Sequence, residues 1–422
     1  MIKKILLIFI FLIAQIPATT KDNIKKRINE VLDRLPSNTT AAILIYDPLT
    51  QDTIFQKNHT LSIVPASNTK LFTTAAALSI MGGNYQLATK ILSDSKDIKD
   101  GVINGNLYIK GYGNSVFTED DLIEMVKTLK KMGIKKITGN IIGDDYYFDE
   151  LYTRADWIND EAPNIKLPPI SALVIDRNRI IEHRTIKVRR RGHLIRRVIT
   201  HHRFINNPPL YIAQLLRKKL IKAGIKVSKA AKKGITPPNL KVLTESTILL
   251  KDLVQRINKH SDNFLAECLF KTIGAVSSGK QGNSFYSTQA VLKFLKDNGI
   301  YANGTAVVDG SGISRNDLVT VGAIVGLLQK MYFDTKNFDA FYNSLSIAGI
   351  DGTLRDRMIG SSAENDFHGK TGTLNGVSSL SGYLKTAKGE DLIVSIIFDF
   401  KRGGTHLYRQ TENKIVEILT NW

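Results

Sequence analysis

Ser67-Asn68-Thr69-Lys70 sets an amine three residues after a hydroxyl. On a helix, positions i and i+3 share a face, so the amine can lie one turn behind the hydroxyl. A hydroxyl attacks well only when a neighbouring base takes its proton, and a neutral lysine can serve. Free lysine titrates at about 10.4, so burial and a nearby cation would have to lower it. The same S-x-x-K spacing occurs at Ser93–Lys96 and Ser277–Lys280, in polar or Gly-containing stretches. Only Ser67 opens a long apolar segment, LFTTAAALSI, that could be buried and hold the pair rigidly. The plainer reading of Ser67 is a helix N-cap.

Two further motifs are each weak alone. Ser261-Asp262-Asn263 lies between two helical runs, where all three residue types also favour helix starts. Ser314-Arg315-Asn316 has the same S-x-N form. Lys370-Thr371-Gly372-Thr373, flanked by Gly369 and Gly376, precedes a strand pair and by itself reads as a solvated turn. Together they are more telling. S-x-x-K, S-D-N and K-T-G follow in that order, 194 and 109 residues apart, at a helix start, an interhelical loop and a strand start.

The elements that must position them follow from periodicity. Asp22 to Leu35 has helical apolar spacing, Thr40 to Tyr46 reads as a strand, and Asp52 to Gln56 is its hairpin partner. The helix after Ser67 stops at Gly82-Gly83. From about Asn84 to Thr236 the texture is short strands and turns, with helices at Asp121 to Met132 and Tyr211 to Ala223. TIKVRRRGHLIRRVIT reads as a hairpin turning near Arg191-Gly192. Helical texture returns at Thr247 to Lys259, Asn263 to Ile273, Ser287 to Asp297 and Val319 to Tyr332. Strands follow at Ser379 to Leu384 and Leu392 to Phe400, then a helix at Thr405 to Leu419. The layout is a helix-and-sheet domain interrupted by a strand-rich insertion.

Composition bounds the answer. The 422 residues suggest two or three domains, and 43% hydrophobic with 23% charged content is ordinary for a globular protein. One cysteine, Cys268, excludes an internal disulfide framework and any Cys-based zinc or iron–sulfur site. With 58 Lys+Arg against 39 Asp+Glu the net charge is +19, for which a nucleic acid is the usual first partner. The start of the chain argues against it. Lys3 and Lys4, the apolar run Ile5 to Ala14 and small residues up to Ala18 read as a secretory signal peptide at 1–18. The apolar run is about half the ~20 residues needed to span a bilayer.

S-x-x-K, S-D-N and K-T-G are the set found in class A β-lactamases and penicillin-binding proteins. The chain resembles the D-alanyl-D-alanine carboxypeptidase/endopeptidase family, the class C low-molecular-mass penicillin-binding proteins. PASNTKLFTTAAAL, GNLYIKGYGN, PPISALVIDRNRI, INKHSDNFLAE, VVDGSGISRND, AGIDGTLRDRM and HGKTGTLNGVSSLSGYL carry the resemblance over nearly the whole mature chain. It implies an α/β (α+β) fold: a β-lactamase/transpeptidase-like domain of antiparallel sheet and helices at 19–84 and 237–422, with an insertion at 85–236. The implied function is a serine DD-peptidase acting on peptidoglycan stem peptides, with β-lactams as covalent inhibitors, no metal and no cofactor. Ser67 would be the nucleophile and Lys70 its base. Ser261 and Lys370 would relay a proton to the leaving amine, with Lys370 favouring the neutral form of Lys70. Asn263, Thr371, Gly372 and Thr373 would bind substrate, and the N–H groups of Ser67 and Thr373 would form the oxyanion hole. No Glu is identifiable as a deacylating base.

Other readings stay open. A β-lactamase or esterase uses the same scaffold, and a penicillin-sensing or wall-binding protein without catalysis is a different class. The eight histidines show no metal-ligand spacing; His201 and His202 should point to opposite faces of a strand, and His368 reads as a rim residue. Cys268 reads as a packing residue, Asp309-Gly310-Ser311-Gly312 as a structural turn near the site, and the C-terminal helix as core. Arg189, Arg190, Arg191, Arg196 and Arg197 cluster about the proposed hairpin turn. They form either a solvated surface or a dock for anionic wall polymer or a membrane surface.

Overall fold

The computed structural model describes residues 21–157, 166–190 and 193–422. The expected signal peptide at 1–18 and Arg191 lie outside the described residues.

A six-stranded antiparallel sheet forms the centre. Its strand order is β14 (Ser346–Ile347), β15 (Phe367–Leu374), β16 (Val377–Lys385), β17 (Asp391–Asp399), β1 (Thr40–Asp47) and β2 (Asp52–Lys57). The sheet is buried on both faces, and strand alternation divides its side chains between two cores. Ala41, Ile43 and Ile45 of β1 join Leu380 of β16 and Val394, Ile396 and Phe398 of β17 under helices α1 (Lys21–Leu32) and α10 (Thr405–Thr420). Tyr408, Ile415, Ile418 and Leu419 of α10 are buried there, as a core-packing helix requires. Ala42 and Leu44 face the opposite core. That core holds α2 (Thr69–Met81), α5 (Leu250–His260), α6 (Asn263–Ser278), α7 (Ser284–Asp297), α8 (Val321–Tyr332) and the short α9 (Phe338–Tyr342).

The strand-rich region sits beside this helical layer. Its five-stranded sheet runs β12 (Ala231–Lys233), β8 (Ile141–Asp144), β6 (Leu107–Tyr112), β3 (Gln86–Ser93) and β13 (Lys241–Leu249). A small sheet of two-residue strands joins it: β11 (Lys226–Val227), β7 (Lys136–Ile137), β5 (Val102–Ile103) and β4 (Ile98–Lys99). Helices α3 (Glu119–Lys131) and α4 (Pro208–Lys222) pack into a third core with Ile91, Leu107 and Ile109. β13 occupies residues that the sequence assigns partly to a helix starting at Thr247; that helix starts only at Leu250. Pairing along β3 from Gln86 to Ser93 supplies β13 with the partner that makes a strand of it.

β9 (Arg179–Arg190) and β10 (His193–Phe204) make a two-stranded antiparallel ribbon with Arg190 opposite His193, while Arg191 and Gly192, where the sequence expects the turn, lie outside the described residues. His201 pairs with Glu182 and His202 with Ile181, on opposite faces. Beyond its base the ribbon is open to solvent: Leu194 is 68% exposed and Val198 63%.

Candidate active site

The chain enters the site through Pro65 and a 3-10 turn, Ala66–Asn68, that leads directly into α2. Ser67 lies inside this turn and caps nothing; instead its Oγ accepts a hydrogen bond from Lys70 Nζ at 2.9 Å. The turn is pinned from the sheet side. Asn68 Nδ2 donates to Ser381 Oγ (2.9 Å), and Ser379 Oγ donates to the Pro65 carbonyl (2.8 Å). Ala66 adopts φ +51°, a left-handed conformation that costs a non-glycine residue about 1–2 kcal/mol. Helix α2 is apolar and buried almost throughout, which makes it a rigid support for Lys70.

Lys70 is fully buried, and all three of its ammonium donors are used: Ser67 Oγ, Asn263 Oδ1 at 2.7 Å and the Ser311 carbonyl at 2.6 Å. Burial lowers its pKa to about 8, opposed by the negative charges of Asp309, Glu267, Asp262 and Asp317. Burial therefore does the work for which the sequence invokes a neighbouring cation. Lys370 is also fully buried and donates to Ser261 Oγ (2.9 Å) and the Thr371 carbonyl (2.6 Å). Burial first, then the charge of Lys70, push it well below the usual lysine range.

Ser261, Asp262 and Asn263 form the joint between two helices. Ser261 ends α5 in the left-handed conformation (φ +53°), and Asp262 caps α6 by accepting from the Leu265 N–H at 3.0 Å. The capping reading of the motif thus holds, and the same joint brings Ser261 and Asn263 to the two lysines. K-T-G stands on a strand rather than in a solvated turn: Lys370–Thr373 lies within β15, paired along its length with β16. Glycine is required there by close approach. A Cβ at Gly372 would fall 2.2 Å from Ser379 Oγ and 2.9 Å from the Ser67 nitrogen. Strand β14 pairs only with His368 and Gly369, so residues 370–374 have no strand on their outer edge among the described residues.

A cleft of about 580 Å³ opens over Ser67, Ser261, Thr353, Thr371 and Thr373. Thr371 Oγ1 donates to Thr353 Oγ1 (2.8 Å), and Arg409 Nη2 donates to Thr373 Oγ1 (3.0 Å). Arg409, on α10, is a functional candidate that sequence reasoning missed, because no local pattern links it to a motif 36 residues earlier. The Asp309–Gly312 turn is part of the site. The Asp309 carboxylate accepts N–H bonds from Ser311, Gly312 and Ser314, and this turn presents the carbonyl that holds Lys70. Outside the site are His368, half-buried and stacked on Tyr342 at 4.3 Å, and Cys268, fully enclosed with its thiol pKa pushed up by burial. The other two S-x-x-K pairs form no such unit, since Lys96, Ser277 and Lys280 are solvent-exposed. Among the described residues no group of His, Cys, Asp and Glu could hold a metal ion.

Known proteins show the same organisation. The chain is 26% identical over 85% of its length to a D-alanyl-D-alanine carboxypeptidase of Actinomadura sp., covering 77% of that protein. It superposes on penicillin-binding protein 4 (dacB) of Haemophilus influenzae with TM-score 0.81 and 23% identity, covering 94% of this chain and 99% of the other. The penicillin G-acylated predatory endopeptidase of Bdellovibrio bacteriovorus follows at TM-score 0.54 and 15% identity, with 91% of this chain and 93% of that one aligned. Residues 22–196 and 182–422 match the D-Ala-D-Ala carboxypeptidase 3 (S13) family, to which this chain belongs.

Proposed function

We propose that this chain is a serine-type D-Ala-D-Ala carboxypeptidase and/or DD-endopeptidase that acts on peptidoglycan stem peptides and is acylated by β-lactams. The observation that carries the reading is one buried amine, Lys70 Nζ, bonded at once to Ser67 Oγ and Asn263 Oδ1, with Ser261 and Lys370 paired beside it. Ser67 Oγ attacks the D-Ala carbonyl while neutral Lys70 takes its proton. The tetrahedral oxygen rests on the N–H groups of Ser67 and Thr373, each donor contributing about 2.7–4 kcal/mol in comparable hydrolases. Ser261, bonded to Lys370, hands a proton to the leaving amine, and water then releases the acyl group. Asn263 orients the acyl side, and Thr371, Gly372 and Thr373 take the substrate backbone and terminal carboxylate along the open edge of β15, by strand addition.

The test is covalent labelling. Fluorescent penicillin should form an adduct with the purified protein that vanishes in Ser67→Ala, and labelling that survives the mutation would remove the nucleophile assignment. D-Ala release from a D-Ala-D-Ala peptide separates a peptidase from a penicillin sensor, and rapid nitrocefin turnover would mark a β-lactamase.

The reading extends to an exported protein with a signal peptide at 1–18, working in the periplasm or cell-envelope space. No helix among the described residues is long and apolar enough to cross a membrane. It also treats 19–84 with 237–422 as the catalytic domain and 85–236 as the insertion. Within that insertion, the exposed ribbon bearing Arg189, Arg196 and Arg197 would dock on anionic wall polymer or a membrane surface. Retention on either that is unchanged when these arginines become Gln, at low and high salt, would count against this part.

A further inference from the structure

Asp262 is the middle residue of S-D-N, yet its side chain reaches neither lysine. It turns toward the strand-rich region and meets Arg177 in a two-bond ion pair, Nη1 to Oδ2 at 2.5 Å and Nη2 to Oδ1 at 2.8 Å. The guanidinium also lies over the ring of Phe264, 5.1 Å from its centroid. Planar, bidentate pairing of this kind fixes direction as well as distance.

The way Arg177 is presented is costly. Asp176, Arg177 and Asn178 have φ of +44°, +58° and +50°, three successive non-glycine residues in left-handed conformation. Strain of this sort persists only where the surroundings over-determine it. Here the Asp176 N–H donates to the Phe117 carbonyl. Asn178, fully buried, accepts from the Ile175 N–H through Oδ1 and donates to the Pro169 carbonyl through Nδ2. The backbone is thus locked in a shape that presents Arg177 to Asp262. On either side of that pair stand Ser261, bonded to Lys370, and Asn263, bonded to Lys70.

We infer that Arg177 is a positioning residue for catalysis. It holds the helix joint so that Ser261 Oγ and Asn263 Oδ1 meet the two lysines together, which makes the strand-rich region a brace for the reacting groups. This rests on the roles proposed above for Ser261 and Asn263.

The test measures penicillin acylation and D-Ala release in wild type, Ser67→Ala, Arg177→Met, Arg177→Lys, Asp262→Asn and the Arg177→Met/Asp262→Asn double variant. Displacement of reacting groups by about 1 Å costs on the order of a hundredfold, so Arg177→Met should lose roughly ten- to hundredfold in acylation rate constant and kcat. KM should change less than about threefold, since the substrate-binding strand is untouched. Lysine should restore part of the loss, and the double variant should be no worse than the worse single one, because both remove one interaction. Acylation of Arg177→Met within about twofold of wild type would overturn the inference. So would a loss that matches the unfolded fraction seen by circular dichroism, with normal rates in the folded remainder. Wild-type protein that is not acylated would remove the proposed function and this inference with it, whereas acylation lost only in Ser67→Ala removes the brace alone.

Discussion

Acylation by a β-lactam should titrate with Lys70. Its amine is fully enclosed, and burial lowers it to about 8 despite four nearby carboxylates. If that group is the base, about one molecule in ten carries it neutral at pH 7 and about one in two at pH 8. The second-order acylation constant should therefore rise about fiftyfold between pH 6 and pH 8 and level off above about pH 9. Stability does not imitate this curve. The native value lies below that of the unfolded chain, so the unfolded state binds more protons only between about 8 and 10.4, and the contribution of Lys70 to stability grows with pH in that window alone. Below pH 8 both states hold the proton, and the folded fraction owes no slope to this group. Stopped-flow labelling with a fluorescent penicillin from about pH 5.5 to about pH 9.5, at fixed ionic strength, measures the limb. Lys370→Met belongs in the same series. Lys370 is held well below its usual range by burial and by the charge of Lys70, while burial rather than Lys370 is the leading cause that lowers Lys70. Loss of Lys370 should lower the plateau and leave the midpoint near pH 8. A rate that is flat from pH 6 to pH 8 would refute Lys70 as the base, and a midpoint displaced by more than about one unit in Lys370→Met would refute burial as the main cause of its lowered pKa.

Three further outcomes follow from the geometry. Gly372→Ala drives a Cβ to 2.2 Å from Ser379 Oγ and 2.9 Å from the Ser67 nitrogen, so β15 must move off the nucleophile turn, and penicillin acylation should fall at least about tenfold. Arg409→Ala removes the donor to Thr373 from the cleft wall; KM for a D-Ala-D-Ala peptide should rise about three- to tenfold at low salt, with kcat nearly unchanged and the gap narrowing at high salt. Cys268 is fully buried with its thiol pushed up, so a thiol reagent should leave the native protein unmodified and label one site only after denaturation.

S-x-x-K and S-D-N were legible because each brings its own local geometry: a helix turn sets Ser67 against Lys70, and a helix joint brings Ser261 and Asn263 to the lysines. What the sequence leaves dark depends on partners far along the chain. Nothing near Ser311 indicates that its carbonyl receives an amine 241 residues upstream, or that Arg177 closes on Asp262 across 85. K-T-G reads as a turn because its glycines are strand-weakening, yet β16 and the nucleophile turn enclose it, and the closeness of that packing is why Gly372 has no side chain. β13 escaped notice for a related reason, since it is a strand chiefly by its pairing with β3.

That pairing has a consequence for the history of the molecule. Gln86 at the start of β3 lies opposite Leu249 at the end of β13, and just outside them Leu250 N–H bonds to the Tyr85 carbonyl at 2.8 Å and Lys251 N–H to that of Gly83 at 3.0 Å. Seen from the helical body, everything between is a single hairpin whose two stems never separate. Closing a longer loop costs only about 0.6 kcal/mol per doubling of its length, so closure entropy by itself sets little limit on how much chain hangs beyond those stems. What does fix the region is packing: Phe148, Ile170, Ala172 and Val174 are buried in the helical core, and Arg154 donates to Ser284 Oγ and to the Val308 carbonyl. The body therefore draws on the insertion for packing as well as for the grip of Arg177 on Asp262, and only the chain beyond those contacts is free to change in length.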